Sequence, residues 1–198
     1  FALEYNYISI VYVPSSSVSL YKSAAGWQTL PITSDELVSV KNPTAGALAA
    51  TLATSGYQLS SISKLKISGN LNSVDFEQIK NNMPLIMELD ITDASIQGNS
   101  IPANAFYGKN IITKVKLPST IENIGDNAFA SCSNLADIFP LPSSLKTIGS
   151  SSFANCISLT GNLVIPNTVT SIGNYAFNGC KGFNGNLILS DKITSIPT

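Results

Sequence analysis

Three cysteines stand at one fixed interval in this chain. Cys132, Cys156 and Cys180 are each 24 residues apart. Thiols so arranged could bind a soft metal or shuttle between thiol and disulfide. None of the three lies in a Cys-x-x-Cys pair, and their number is odd. Neither a zinc knuckle nor a disulfide framework is therefore indicated. Nothing beside them supplies the positive charge that a reactive thiolate needs. The sequence favours three small apolar core fillers, and leaves their redox state open.

Acids form the second group that could do chemistry. Asp75, Glu77, Glu88, Asp90 and Asp93 cluster in the first half of the chain. Paired carboxylates could cleave a glycosidic bond. Lysines, however, recur around them at matching steps: Lys64, Glu88 and Lys114 share one position, and Lys66, Asp90 and Lys116 the next. Alternating charges on adjacent strands stabilise each other modestly, so a structural ladder is expected. Asp75 is expected to serve the first turn of a helix, where the helix dipole favours it. Histidine, the commonest general base and zinc ligand, is absent. No nucleophile elbow, phosphate loop or calcium repeat is present. No catalytic residue, cofactor or metal is assigned. Tyr12, Tyr21 and Trp27 could stack on a sugar or anchor a partner, but are expected to pack over an end of the fold.

Composition narrows the classes further. Of 198 residues, 44% are hydrophobic and 12% charged, with a net charge of -1. The charged share is about half the usual one. There is no basic footprint for nucleic acid. No apolar run reaches the length of a membrane span. The first residues read as mid-domain sequence, so an export signal or anchor is expected to lie outside this chain.

These residues must be positioned by a repeat. Phe106, Phe129, Phe153 and Phe177 recur at steps of 23, 24 and 24. Ile124, Ile148, Ile172 and Ile196 recur at 24, as do Pro118, Pro142 and Pro166. A short strand opens each unit, carried by Leu65/Ile67, Leu89/Ile91, Val115/Leu117, Phe139/Leu141, Leu163/Ile165 and Leu187/Leu189. Alternation puts each pair on one strand face. Stacked coils would join these strands in a parallel sheet and bury that face, which no coil can do alone. Pro166 ends its strand because it has no N–H to donate. Gly173 is expected at a positive-φ turn, and Phe177 fills the wide part of the coil. The fold class is an α/β repeat, a leucine-rich-repeat solenoid of stacked short parallel strands. Its coil of 24 residues lies within the range of about 20–29 for such repeats. About six right-handed coils are expected.

The segments SIGNYAFNGC, TIGSSSFANC and NIGDNAFASC resemble the I-G-x-x-A-F-x-x-C core of BspA-like leucine-rich repeats. The resemblance covers residues 96–198; Ser152 departs from it, standing where the pattern has alanine. Residues 12–27 resemble the segment that closes such arrays, and residues 65–96 the segment that opens them. The resemblance implies a bacterial cell-surface or secreted location. It also implies a non-catalytic role in adhesion to host matrix proteins, other bacteria or glycans. A structural spacer or self-assembling stalk is the alternative.

Four regions follow along the chain: an array-closing strand and helix over 1–30, a linker over 31–43, an opening segment with helices and first strands over 44–95, and regular repeats over 96–198. A closing segment before an opening one is unexpected. Phe1 to Pro14 is 13 residues, as are Phe129 to Pro142 and Phe153 to Pro166. Residues 1–14 thus carry the pattern of half a coil. They could finish a previous array, dock on the far end of the same chain, or dock head to tail on a neighbour.

The strand ladder also nominates a binding surface. Beyond Lys116 its outward positions become Pro140, Val164 and Ile188; beyond Lys114 they become Ile138, Asn162 and Asn186. The face is expected to run from charged to apolar, and an apolar patch on a surface usually marks a contact site. Its partner would be a protein or glycan at the cell surface.

Overall fold

The computed structural model describes residues 11–13, 18–25, 32–33, 36–138 and 140–194. The elements are β1 (Val11–Tyr12), α1 (Val18–Ser23), β2 (Ile32–Thr33), β3 (Leu37–Asn42), α2 (Leu48–Thr54), β4 (Lys64–Leu71), α3 (Ser73–Asn82), β5 (Glu88–Asp90), β6 (Ala94–Ile96) and β7 (Ser100–Ile101). Then follow β8 (Lys114–Lys116), β9 (Asn123–Ile124), β10 (Thr147–Ile148), β11 (Gly161–Val164), β12 (Ser171–Ile172) and β13 (Phe183–Ile188). Every pairing among the described strands is parallel.

Parallel pairing at one strand per coil is what the 24-residue period demands. One sheet runs β3-β4-β5-β8, with β6 also on β4. Its line continues as Asp137 bridging Lys114, and farther on β11 pairs with β13. A second sheet, β7-β9-β10-β12, stacks Ile101, Ile124, Ile148 and Ile172. Among its described residues, the stretch read as a linker, 31–43, carries strands β2 and β3. Leu37–Asn42 is a strand in register with β4, and Val38, Val40 and Asn42 alternate inward. Its period-2 pattern carries the sheet one strand farther back, and this outweighs the punctuation by Pro31 and Pro43.

A third set of hydrogen bonds joins the phenylalanine loops. The N–H groups of Asn104, Phe106 and Gly108 donate to the carbonyls of Asp126, Ala128 and Ala130. The pattern repeats from 127, 129 and 131 to 150, 152 and 154, and again to 174, 176 and 178. The rings follow the backbone. Phe106, Phe129, Phe153 and Phe177 stack with centroids 5.0, 5.2 and 5.2 Å apart, and Phe76 closes one end edge-on at 5.7 Å. Phe76, Phe106, Phe129 and Phe153 are wholly buried.

Gly173 does not supply the positive φ expected of it. Gly125, Gly149 and Gly173 are required by close approach: an added Cβ would lie 2.4 to 2.6 Å from backbone nitrogen of the preceding coil. Positive φ occurs instead two residues on either side of each phenylalanine. Before it stand Asn104, Asn127, Ser151 and Tyr175; after it stand Gly108, Ser131, Asn155 and Gly179. Left-handed backbone there turns the loop so that alternate N–H groups face the next coil. Asn and Gly accept that conformation most readily.

The opening segment is organised by Asp75, which is fully buried. Asn72 caps α3 and forms a capping box with Asp75. The Asp75 carboxylate also accepts from the backbone N–H of Gly46 at 2.6 Å and of Leu48 at 2.9 Å. One carboxylate therefore serves the first turns of both α2 and α3. The N-cap residue of α2, Ala47, has no side chain that could cap it, and this acid takes that part.

A single side chain in the described core is left unsatisfied. Ser152 is fully buried and its Oγ has no hydrogen-bond partner. The same place in the other coils holds Ala105, Ala128 and Ala176. Removing an unpaired buried hydroxyl recovers its desolvation cost. Ser152→Ala is expected to stabilise the protein by about 1 kcal/mol, read as a higher midpoint in urea unfolding; an unchanged or lower midpoint would contradict this account.

Candidate functional site

The outer face of the main sheet changes character along the stack. At its first strands it is charged and paired. Lys64 meets Glu88 at 3.6 Å, Lys116 meets Asp90 at 3.2 Å and Lys66 meets Asp93 at 2.8 Å. Lys114 pairs with Asp137. Strand register puts Glu88 between Lys64 and Lys114, and Asp90 between Lys66 and Lys116. Asp90 titrates below the ordinary range. Burial alone would raise it, but hydrogen bonds from Thr92 and Lys116 together outweigh burial. The carboxylates are thus consumed in a surface lattice of opposite charges, each pair contributing little.

Toward the other end the face turns apolar, on a smaller area than the sequence suggested. Val164 and Ile188 are opposite each other in β11 and β13 and are 43% and 50% exposed. Asn162 and Asn186 flank them, exposed, and Asn162 Oδ1 accepts from the Asn186 N–H at 2.7 Å. Pro140 is exposed. Ile138 is not part of the surface: it is 4% exposed and packs in the core. The register at that coil is one residue earlier than the proline spacing implied. Asp137 takes the outward place beside Lys114, and the Val115 N–H donates to the Asp137 carbonyl. That register pairs opposite charges and buries an isoleucine; the alternative would expose Ile138. Phe139, expected inward, lies outside the described residues, as does Trp27. So does the side chain of Tyr12, while Tyr21 is half-buried.

The cysteines form the inner column that their spacing implied. Each thiol donates to the phenylalanine carbonyl of the preceding coil: Cys132 to Phe106 at 3.1 Å, Cys156 to Phe129 at 3.1 Å and Cys180 to Phe153 at 3.0 Å. Burial pushes Cys132 up to about 12 and Cys180 up to about 11, and moves Cys156 in the same direction. Thiolate chemistry is suppressed throughout the column. Among the described residues, no cluster of histidine, cysteine or acid side chains could hold a metal.

Sequence reasoning missed Lys109. It follows Phe106 by three residues, as Cys132 follows Phe129, so it occupies the cysteine place of its coil. That shared offset was the available signal. Lys109 is 7% exposed, and its ammonium donates to the Met83 carbonyl, as each cysteine donates back by one coil. Burial lowers its pKa from 10.5 to about 8.

The BspA type leucine-rich-repeat region matches in six copies over residues 99–198, just over half of the chain. This chain belongs to the BspA-type leucine-rich-repeat family. Among solved structures, a leucine-rich repeat protein of Treponema pallidum is similar, at 21% identity and a TM-score of 0.41, over 92% of this chain and 71% of that one. One from Bacteroides ovatus is similar at 16% identity and a TM-score of 0.47, over 96% of this chain and 48% of its own. A leucine-rich cell surface protein of Faecalibacterium prausnitzii shows 16% identity and a TM-score of 0.28, over 96% and 49%. This BspA-type chain thus spans about half the length of the last two. No curated protein matches it.

Two predictions follow from the inner column. In the native protein, Cys132 and Cys156 should resist a thiol-specific reagent and Cys180, half-buried, should react slowly, whereas all three should react at once in denaturant; rapid native labelling of Cys132 would contradict the buried ladder. For Lys109, the unfolded chain keeps its proton up to about 10.5 while the folded chain releases it near 8. Between those values the unfolded state binds more protons, so this group makes stability rise with pH. The cysteines act oppositely above their unfolded value of 9.0, since burial holds their protons in the fold. Unfolding free energy measured between pH 7.5 and pH 9 should therefore climb more steeply in the native sequence than in Lys109→Met; parallel curves would refute the assignment.

Proposed function

We propose that this chain is a non-catalytic binding module at the bacterial cell surface. Its outer sheet face holds a protein or glycan at Val164 and Ile188, bordered by Asn162 and Asn186, with Pro140 at the margin. The observation that carries this reading is the pair Val164–Ile188: two aliphatic side chains exposed side by side on a hydrogen-bonded sheet. A rigid sheet presents them without the ordering cost of a loop. The neighbouring asparagines offer amide donors and acceptors at a polar rim, as binding surfaces do. The charged end of the same face has its lysines and acids already paired. It contributes orientation more than affinity. Membership of the BspA-type family supports the surface location. Among the described residues no helix is long and apolar enough to cross a membrane.

The test is a binding screen against immobilised extracellular-matrix proteins and a glycan array. Any hit is then repeated with Val164→Glu, Ile188→Glu and, as a control on the charged end, Lys116→Ala. Each glutamate is expected to weaken the hit by about tenfold or more, the cost of losing one buried aliphatic contact. The control should bind within about threefold of the native sequence. Equal binding by both glutamate variants would remove the reading.

A further inference from the structure

An open cleft of about 460 Å³ lies on the opening segment, where β3, β4 and β6 end. Strand β4 runs between β3 and β6. Asn70 lies opposite Ser95 in the parallel register of β4 and β6, and both are exposed. Asn72 and Gln97 stand two residues farther along, so alternation returns them to the same face. The loop after β3 borders the cleft opposite Ser95, with Thr44 between Pro43 and Ala45.

The two asparagines are held in fixed orientations. Asn70 Nδ2 donates to the Pro43 carbonyl at 2.8 Å, which leaves Oδ1 of that amide as a free acceptor. Asn72 Oδ1 accepts from the Val74 N–H at 2.9 Å as the cap of α3, which leaves its Nδ2 as a donor. Gly46 makes room for that donor: an added Cβ would lie 3.2 Å from Nδ2, and its φ of +88° suits glycine. The hydroxyls of Thr44 and Ser95 and the amide of Gln97 have no hydrogen-bond partner among the described residues. No charged side chain among those residues lines the cleft. Asp75, which braces the same loop and strand end, is fully buried. It already accepts from the N–H groups of Gly46, Leu48 and Asn72.

From this arrangement we infer that the cleft is a carbohydrate site, in which one neutral sugar residue seats across Asn70, Asn72, Ser95 and Gln97. The lining groups are uncharged, so they do not offset the desolvation of a phosphate, sulfate or carboxylate. Amides and hydroxyls pair instead with sugar hydroxyls, each of which both donates and accepts. A fixed acceptor and a fixed donor, on residues about 7 Å apart along the extended strand end, meet hydroxyls on two sides of one ring. Pro43 and Ala45 offer the C–H face of that ring a small apolar contact. The asparagine amides are held by backbone groups before a ligand arrives, so little side-chain ordering opposes binding. This site is independent of the outer face at Val164 and Ile188.

The experiment is saturation-transfer NMR of the full chain with lactose, maltose, chitobiose and mannobiose as neutral probes, and sialyllactose and galactose 6-sulfate as charged ones. At least one neutral probe is expected to receive saturation from the protein and to titrate to a plateau. Gln97→Ala, which removes one exposed amide, should weaken that probe about three- to tenfold. Ser95→Trp, which fills the cleft from an exposed position, should abolish the signal. Val164→Glu should leave it unchanged, which separates this site from the outer-face contact. Circular dichroism checks that the variants stay folded. Absence of transfer to every neutral probe overturns the inference, as does stronger transfer to the charged probes. Undiminished binding by folded Ser95→Trp, or loss of binding in Val164→Glu, places the sugar elsewhere and overturns it as well.

Discussion

The structure depends on one constraint: a coil cannot satisfy its own backbone. In the phenylalanine loops, alternate N–H groups point along the stack and meet carbonyls only in the next coil. Buried amides left unpaired are costly, so coils exist only as neighbours of other coils. The positive-φ residues two places either side of each phenylalanine aim those N–H groups. The glycines at 125, 149 and 173 let the coils come close enough for the bonds to form. Backbone pairing thus sets the repeat length, and the side chains fall into columns as a consequence.

Those columns explain how the thiols and the buried ammonium are held. The ring stack occupies the wide part of the interior. The place three residues later faces a carbonyl of the preceding coil and accepts any small donor. Three coils fill it with a thiol and one with the ammonium of Lys109. Burial raises the thiols and lowers the lysine, which in both cases favours the uncharged form. The acids suffer a different fate. Asp75 is spent on two helix starts, and Glu88 and Asp90 on a lattice of strand lysines.

The outer surface of the main sheet changes along the stack. The outer face is charged and paired where the sheet begins, and apolar with exposed asparagines where it ends. The end of the stack is apolar for a different reason: it is core that no described residue covers. The two patches adjoin at β13, but one is the side of a sheet and the other its edge.

The sequence by itself determined the period, the parallel strands, the phenylalanine and cysteine columns and the alternating charges, because each recurs at a spacing that stacking converts directly into contact. It also showed α3 with its acid in the first turn. Tertiary structure alone decided the rest. Asp137 rather than Ile138 faces outward, since choosing between registers one residue apart requires the neighbouring strand and its lysine. Strand β3 hides in a stretch punctuated by prolines, and only its pairing with β4 reveals it. The glycine of each Ile-Gly pair is there for closeness and not for a turn, a distinction written in the position of the preceding coil. Lys109 shares its place with the cysteines through geometry that residue type conceals. Periodicity along a chain fixes what stacks; which face each side chain takes is settled by the strand laid beside it.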